Sequence, residues 1–195
     1  MLVLIRHGRT AANREGRLQG RTDLPLDEVG QRQARAVAKA VGSDLDISHV
    51  IASPLERAQQ TAAAFSRPVE TDERWIELNY GVYEGVRQVD VPSEVWEQWQ
   101  CSPDFVPDGG ESLNTLDERV RAACADLVQR ARDEHIVVVS HVSPMKAAVA
   151  WALGVDIGIS WRCHLDHASM CKVGFRGARP VLRTFNEAVA LNPSF

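Results

Sequence analysis

The chain has 195 residues, 45% of them hydrophobic and 25% charged, with a net charge of −4, which supports one well-buried core over residues 1–195 and is short for two. No Lys/Arg run tracks a phosphate backbone, so nucleic acid is not expected as the main partner, and no stretch approaches the length of a membrane span. The first apolar run is too short and lacks the flanks of a signal peptide, and Cys101, Cys124, Cys163 and Cys171 show no close CxxC pairing, so a cytoplasmic protein with reduced thiols is expected. In chain order, Leu2 to Ile5 is a continuous apolar run rich in branched residues. It predicts a short strand covered on both faces, as in parallel α/β sheets. Arg6, His7 and Gly8 then fall at the strand's carboxyl end, the edge where open α/β sheets bind ligands.

The segment "DEVGQRQARAVAKAVG" predicts a helix with Asp27 as cap, Gly42 as stop, and Val29, Ala36, Val37, Ala40 and Val41 on one face. A strand is expected at about His49 to Ala52. In "SPLERAQQTAAAF", Ser53 can cap a helix, Pro54 can take its first position and Glu56 can close a capping box, which puts Arg57 in the first turn. A long helix repeats its apolar face at Leu113, Leu116, Val120, Cys124 and Leu127 and leads into a strand, "IVVVS", at residues 136–140. "VVVSH" thus ends in His141 as "VLIRH" ends in His7, and Ser143-Pro144 marks another helix start. Residues near Ala168 to Gly174 and Val181 to Phe185 read as a closing pair of strands, whose exposed edge offers a place for a homodimer to pair. Alternation of strands and helices argues for βαβ units. Arg6, His7, Arg57 and His141, with helix amino-termini close by, describe an anion pocket at one sheet edge, because unpaired N–H groups and the helix dipole both favour negative charge.

"RHGRT…N" at Arg6 to Asn13, "LQGRTDLPLDEVGQRQA" at 18–34, "SPLERAQQTA" at 53–62, "ELNYGVYEG" at 77–85, "GGES" at 109–112 and "VVVSH" at 137–141 together resemble the histidine phosphatase superfamily, the phosphoglycerate mutase-like group. The resemblance covers most of the chain in order and approximate spacing. It implies an α/β three-layer sandwich with a mostly parallel central sheet flanked by helices. It also implies a metal-independent phosphomonoesterase of the phosphatase branch, with no cofactor, acting on small phosphorylated metabolites through a phosphohistidine. A phosphoglycerate mutase on the same site is the alternative, and a non-catalytic phosphate-binding module is a third reading.

Carried over residue by residue, the resemblance makes His7 the nucleophile. Arg6, Arg57 and His141 would clamp the phosphoryl group, Asn13 would add a hydrogen bond, and Glu77 would donate the proton to the leaving oxygen. Gly8, Thr10, Gln19, Gly20 and Val142 join the phosphate- and substrate-binding set. Such a site suits phosphoryl transfer, which spreads charge over three equatorial oxygens and is catalysed mainly by preorganised cations and N–H donors. Glu73 and Glu84 compete with Glu77 for the proton-donor role, and Asn13 has a second reading as a cap.

Position 9 is arginine where that family usually carries glutamate or glutamine, and position 142 is valine where glycine is common. Arg9 is expected to add a cation near the rim, and Val142 to fill space in the pocket. "CHLDHASMC" at 163–171 has the wrong ligand spacing for a metal site, and His164 and His167 on a strand would face opposite ways. Between Glu77 and Glu118 the sole basic residue is Arg87, against acidic residues from Glu84 to Asp117, so this covering segment is expected to disfavour a very acidic leaving group. Its aromatic residues, including Trp96 and Trp99 three apart, suit a larger alcohol portion such as a sugar or nucleoside.

Overall fold

The alternating runs of the sequence build one six-stranded sheet in the computed structural model, which describes residues 1–190. The strands are β1 (Leu2–Arg6), β2 (Ile47–Ala52), β3 (Val69–Thr71), β4 (His135–Ser140), β5 (Met170–Arg176) and β6 (Arg179–Glu187). The helices are α1 (Ala11–Arg14), α2 (Glu28–Asp44), α3 (Glu56–Ala63), α4 (Ser93–Cys101), α5 (Leu113–Asp133) and α6 (Val142–Leu153). Sheet order is β3-β2-β4-β1-β5-β6. The β3–β2, β2–β4 and β4–β1 pairs are parallel, and β5 and β6 close the sheet antiparallel.

The apolar run of β1 is buried on both faces for a simple reason. Leu2 and Leu4 pack with Leu116, Val120, Val149 and Met145 on the α5/α6 side, whereas Val3 and Ile5 pack with Val37, Val41, Ala58 and Ala62 on the α2/α3 side. Alternate side chains of one strand thus feed two cores, which is the expected three-layer sandwich. Each of the four is at most 1% exposed, so burial of each contributes roughly 1.5–3 kcal/mol. That packing holds Arg6 and His7 rigidly at the strand end. A third cluster, Leu18, Val91 and Trp99 with partly buried Tyr80, Tyr83, Trp96 and Phe105, covers the carboxyl edge of the sheet.

Three local expectations are corrected. In α2, Asp27 does cap, accepting from the Gly30 N–H at 2.8 Å, but the helix runs past Gly42 to Asp44 and buries Gly30, Ala34, Val37, Ala38 and Val41. The buried face is therefore rotated away from Val29, Ala36 and Ala40, because the close approach of Gly30 to the Gly8–Arg9 backbone fixes how the helix sits. A Cβ on Gly8 would lie 2.4 Å from the Gly30 carbonyl oxygen, so both glycines are needed for contact. In α3, helical geometry begins at Glu56 with extended Leu55 as N-cap and no side-chain cap. Ser53 is engaged elsewhere, and Asp23 accepts from the Glu56 N–H at 2.7 Å instead. Last, residues 163–169 form a loop before β5, so the two-face argument for His164 and His167 does not apply.

Candidate active site

The carboxyl ends of β1, β2 and β4 meet where His7, Ser53 and His141 follow the last strand residues. His7 is 2% exposed and His141 is fully buried, with ring centroids 5.0 Å apart. Nδ1 of His7 lies 2.7 Å from the Gly8 carbonyl oxygen. Only an Nδ1–H can make that bond, so the lone pair of the neutral ring sits on Nε2. Burial, then Arg57 and Arg6, holds the proton affinity of His7 well below that of an ordinary histidine, so the ring is neutral at neutral pH.

Arg57, fully buried in the first turn of α3, is fixed by three acceptors. Its Nη2 donates to the Gly20 carbonyl at 2.7 Å, its Nη1 to the Thr22 carbonyl at 2.9 Å, and its Nε to Nδ1 of His141 at 3.2 Å. Nε2 of His141 consequently carries hydrogen and donates to the Ser53 hydroxyl at 2.7 Å. Burial and Arg57 lower its proton affinity well below the usual range too. Arg6 reaches the same pocket from β1, its Nη1 donating to the Leu165 carbonyl at 2.6 Å and its Nη2 to Nε2 of His167 at 3.1 Å.

Glu77 is 5% exposed and lies across the helix start of α6, where its Oε1 accepts from the Leu78 N–H at 2.8 Å and the Ser143 N–H at 3.3 Å. Its rivals are elsewhere. Both oxygens of Glu84 are taken by Arg21 and Thr22, and Glu73 is exposed on a short 3-10 turn. At each of the two helix starts one N–H is met by the protein's own carboxylates, Ser143 of α6 by Glu77 and Glu56 of α3 by Asp23. The attraction that would draw a phosphate draws these side chains. "GGES" is explained by Glu111, which pairs with Arg119 at 2.9 Å. Arg119 in turn donates to the Glu77 and Arg74 carbonyls and fixes the segment carrying Glu77.

The remaining expected binding residues divide. Gly8 spends its N–H on the Thr61 hydroxyl at 3.1 Å, and Thr10 donates to Gln19 at 2.8 Å, so these shape the loop. Asn13 forms a capping box with Thr10, its Oδ1 accepting from the Thr10 N–H at 3.1 Å. Its second reading as a cap thus accounts for its oxygen, leaving its amide nitrogen for a ligand. Gly20, at φ +54°, contributes its carbonyl to Arg57, and a Cβ there would strike Glu84. Val142 is half-buried at the first position of α6 and lines the cavity. Arg9 is corrected: its Nε donates to Asp27 at 2.8 Å, so it is tied to the α2 cap and is not a free cation at the rim.

Beside the pocket lies a cavity of about 340 Å³ lined by Arg6, Leu18, Tyr80, Trp96, Trp99, Lys146 and Trp161 among others. Trp96 and Trp99 both line this cavity, their rings 5.3 Å apart. The described residues lining the cavity include Arg6 and Lys146, from outside the covering segment, and no Asp or Glu. Acidic side chains of residues 84–117 point to solvent or pair with arginines, and the cation comes from α6. Sequence reasoning missed Ser53 as a partner of His141, His167 as a partner of Arg6, Arg119, and Lys146. Of these only Lys146 left a trace, at i+4 from Val142 and so on the same helical face.

The buried histidines predict a pH effect on stability. His7, His141 and His167 all hold protons less tightly in the fold than in the unfolded chain, where histidine titrates near 6.5, and His167 is brought down to about 4. The unfolded chain therefore gains protons first, so their stabilisation is complete above pH 6.5 and is lost as pH falls through the folded values. The limiting slope is about 1.4 kcal/mol per pH unit for each such histidine. Urea melts from pH 7 to pH 4.5 should show the decline, and His167→Gln should make it shallower; an unchanged slope in that variant contradicts the assignment.

A family model described as the histidine phosphatase superfamily (branch 1) matches residues 2–188. Among curated relatives, the chain is 34% identical over 176 residues to the bifunctional protein Rv2228c of Mycobacterium tuberculosis, and that match covers 87% of this chain and 48% of the relative. The chain thus spans about half the length of the first such relatives it matches. It is also 32% identical over 194 residues to phosphoserine phosphatase 1 of Hydrogenobacter thermophilus, covering 95% of this chain and 91% of that protein. Among solved structures, phosphoserine phosphatase of Entamoeba histolytica in complex with 3-phosphoglyceric acid superposes with a TM-score of 0.86 at 28% identity, covering 96% of each chain.

Proposed function

The chain belongs to the histidine phosphatase superfamily (branch 1), and from that membership we propose that it hydrolyses small phosphomonoesters through a phosphohistidine formed on His7. The observation that carries this reading is the fixed, neutral His7 ring, its Nδ1 on the Gly8 carbonyl, set between Arg6 and Arg57. In the first step Nε2 attacks phosphorus as the bond to the leaving oxygen breaks, and Glu77 gives that oxygen a proton. In the second, water attacks the phosphohistidine, Glu77 takes the water's proton, and the P–N bond breaks to release phosphate. Arg6 and Arg57 stabilise the charge on the transferring group, and the Asn13 amide adds a hydrogen bond. His141 holds Arg57 in register from its place between Nε and Ser53.

Phosphoserine phosphatase 1 and the phosphoserine phosphatase structure, each matched over more than nine-tenths of its length, favour hydrolysis, while relatives named probable phosphoglycerate mutase GpmB, matched over 85% of theirs, are the ground for the mutase alternative. Among the described residues no helix is long and apolar enough to cross a membrane. The four cysteines are free thiols, which fits a cytoplasmic setting. β6 is the sheet edge where a homodimer would pair; its Arg179, Arg183 and Glu187 are the kind of charges by which edge strands resist pairing.

The test is phosphate release from a panel of phosphorylated metabolites, run with and without chelator and vanadate. Arginine and histidine chemistry predicts rates unchanged by chelation. Vanadate, which mimics the five-coordinate phosphoryl centre, should inhibit at concentrations well below the substrate KM. Activity lost on chelation and restored by a divalent ion would move the protein to a metal-dependent class.

A further inference from the structure

Lys146 lines the cavity beside Arg6, half-buried, yet within the described residues it makes no hydrogen bond and no ion pair. It lies four residues, about 6 Å, along α6 from Val142, the end at which Glu77 meets Ser143. Helical side chains lean toward the amino-terminus, so the Lys146 stem runs back toward the phosphate pocket. His164, the other polar cation-forming group of the lining, already faces Asp166 at 3.2 Å and is largely exposed. Apart from Gln88, Ser143 and Ser160, the rest of the lining is apolar and aromatic, with Trp96 5.3 Å from Trp99 and 6.2 Å from Trp161 by ring centroid.

We propose that Lys146 selects the leaving group, pairing with a carboxylate on the alcohol or phenol portion of the phosphomonoester while Trp96, Trp99 and Trp161 pack against that portion's apolar body. The inference rests on the phosphatase reading above and deepens it. Three features converge: a cation without a partner, a lining free of Asp and Glu, and flat apolar walls on the facing side. Burial lowers the proton affinity of Lys146, while Cys163 and Glu77 act on it from a distance without forming an ion pair, so a ligand carboxylate would be its direct partner. Arg6 is directed at the phosphoryl group by Leu165 and His167, so the two cations serve different ends of one substrate.

The experiment compares phenyl phosphate with its 3- and 4-carboxy derivatives in wild type, Lys146→Met, Lys146→Arg and His7→Ala. Wild type should favour at least one carboxy derivative about tenfold in kcat/KM, through KM, the worth of one charge-assisted contact in a partly dry site. Lys146→Met should bring that ratio close to one, and Lys146→Arg should keep it clearly above one. A wild-type ratio near one for both derivatives, or a ratio that survives in Lys146→Met, overturns the proposal. Full phosphate release by His7→Ala would instead defeat the phosphatase reading, so the two failures are told apart.

Discussion

His7→Ala is expected to lose turnover by on the order of ten-thousand-fold or more while the protein stays folded, because a covalent route has no way around its nucleophile. The backbone supports for a folded variant are all in place. The His7 N–H donates to the Ser140 carbonyl at 2.9 Å and its carbonyl accepts from the Ala168 N–H at 3.2 Å, neither of which needs the ring. Removing a buried imidazole between two guanidinium groups also relieves desolvation of a polar side chain, so the variant should melt close to wild type. Phosphate binding should survive, since Arg6 and Arg57 remain and no longer have a ring between them. Steady-state rates on an aryl phosphate, with a melting curve alongside, check the prediction. More than a tenth of wild-type activity would mean that water attacks phosphorus directly.

Glu77→Gln is the second large effect, and its size should depend on the substrate. Glutamine keeps an oxygen that can accept from the Leu78 and Ser143 N–H groups, so the local fold is conserved. What is lost is a proton for the leaving oxygen, typically worth 10²–10⁴-fold in general acid catalysis (order of magnitude). Alkyl phosphates, whose alkoxides are poor leaving groups, should therefore slow by roughly that factor, whereas p-nitrophenyl phosphate should slow about tenfold or less at the phosphorylation step. Single-turnover phosphate transfer measured on the two substrate types separates the cases. Equal losses would mean that Glu77 holds the α6 amino-terminus without moving a proton.

Strand-end chemistry was the most legible part of this protein. An apolar run bounded by a polar triplet reports both a strand and its edge, so Arg6, His7 and His141 could be placed without coordinates. Arg57 could be placed because the first turn of α3 lies close behind β2, although the cap itself came from Asp23, 33 residues away in sequence from Glu56. That pattern repeats wherever the sequence fell short. Ser53 looks like a local cap, yet its hydroxyl meets His141, 88 residues distant. Arg9 looks like a spare cation until Asp27 is seen beside it. The face of α2 was set by the Gly8–Gly30 backbone contact, which leaves no hydrophobic period to read. Lys146, a cation of the cavity lining, could not be anticipated from the covering segment, because it arrives on a helix of the sandwich. Short-range patterning specifies elements; pairing of buried polar groups is decided by tertiary neighbours.

The most direct test of the account is rapid-quench trapping of the enzyme during turnover of an aryl phosphate, followed by location of the bound phosphate. Phosphate is expected on His7, stable to base and labile to acid, formed and consumed at rates compatible with turnover. Phosphate on any other side chain, or turnover in which His7 is never labelled, would contradict it.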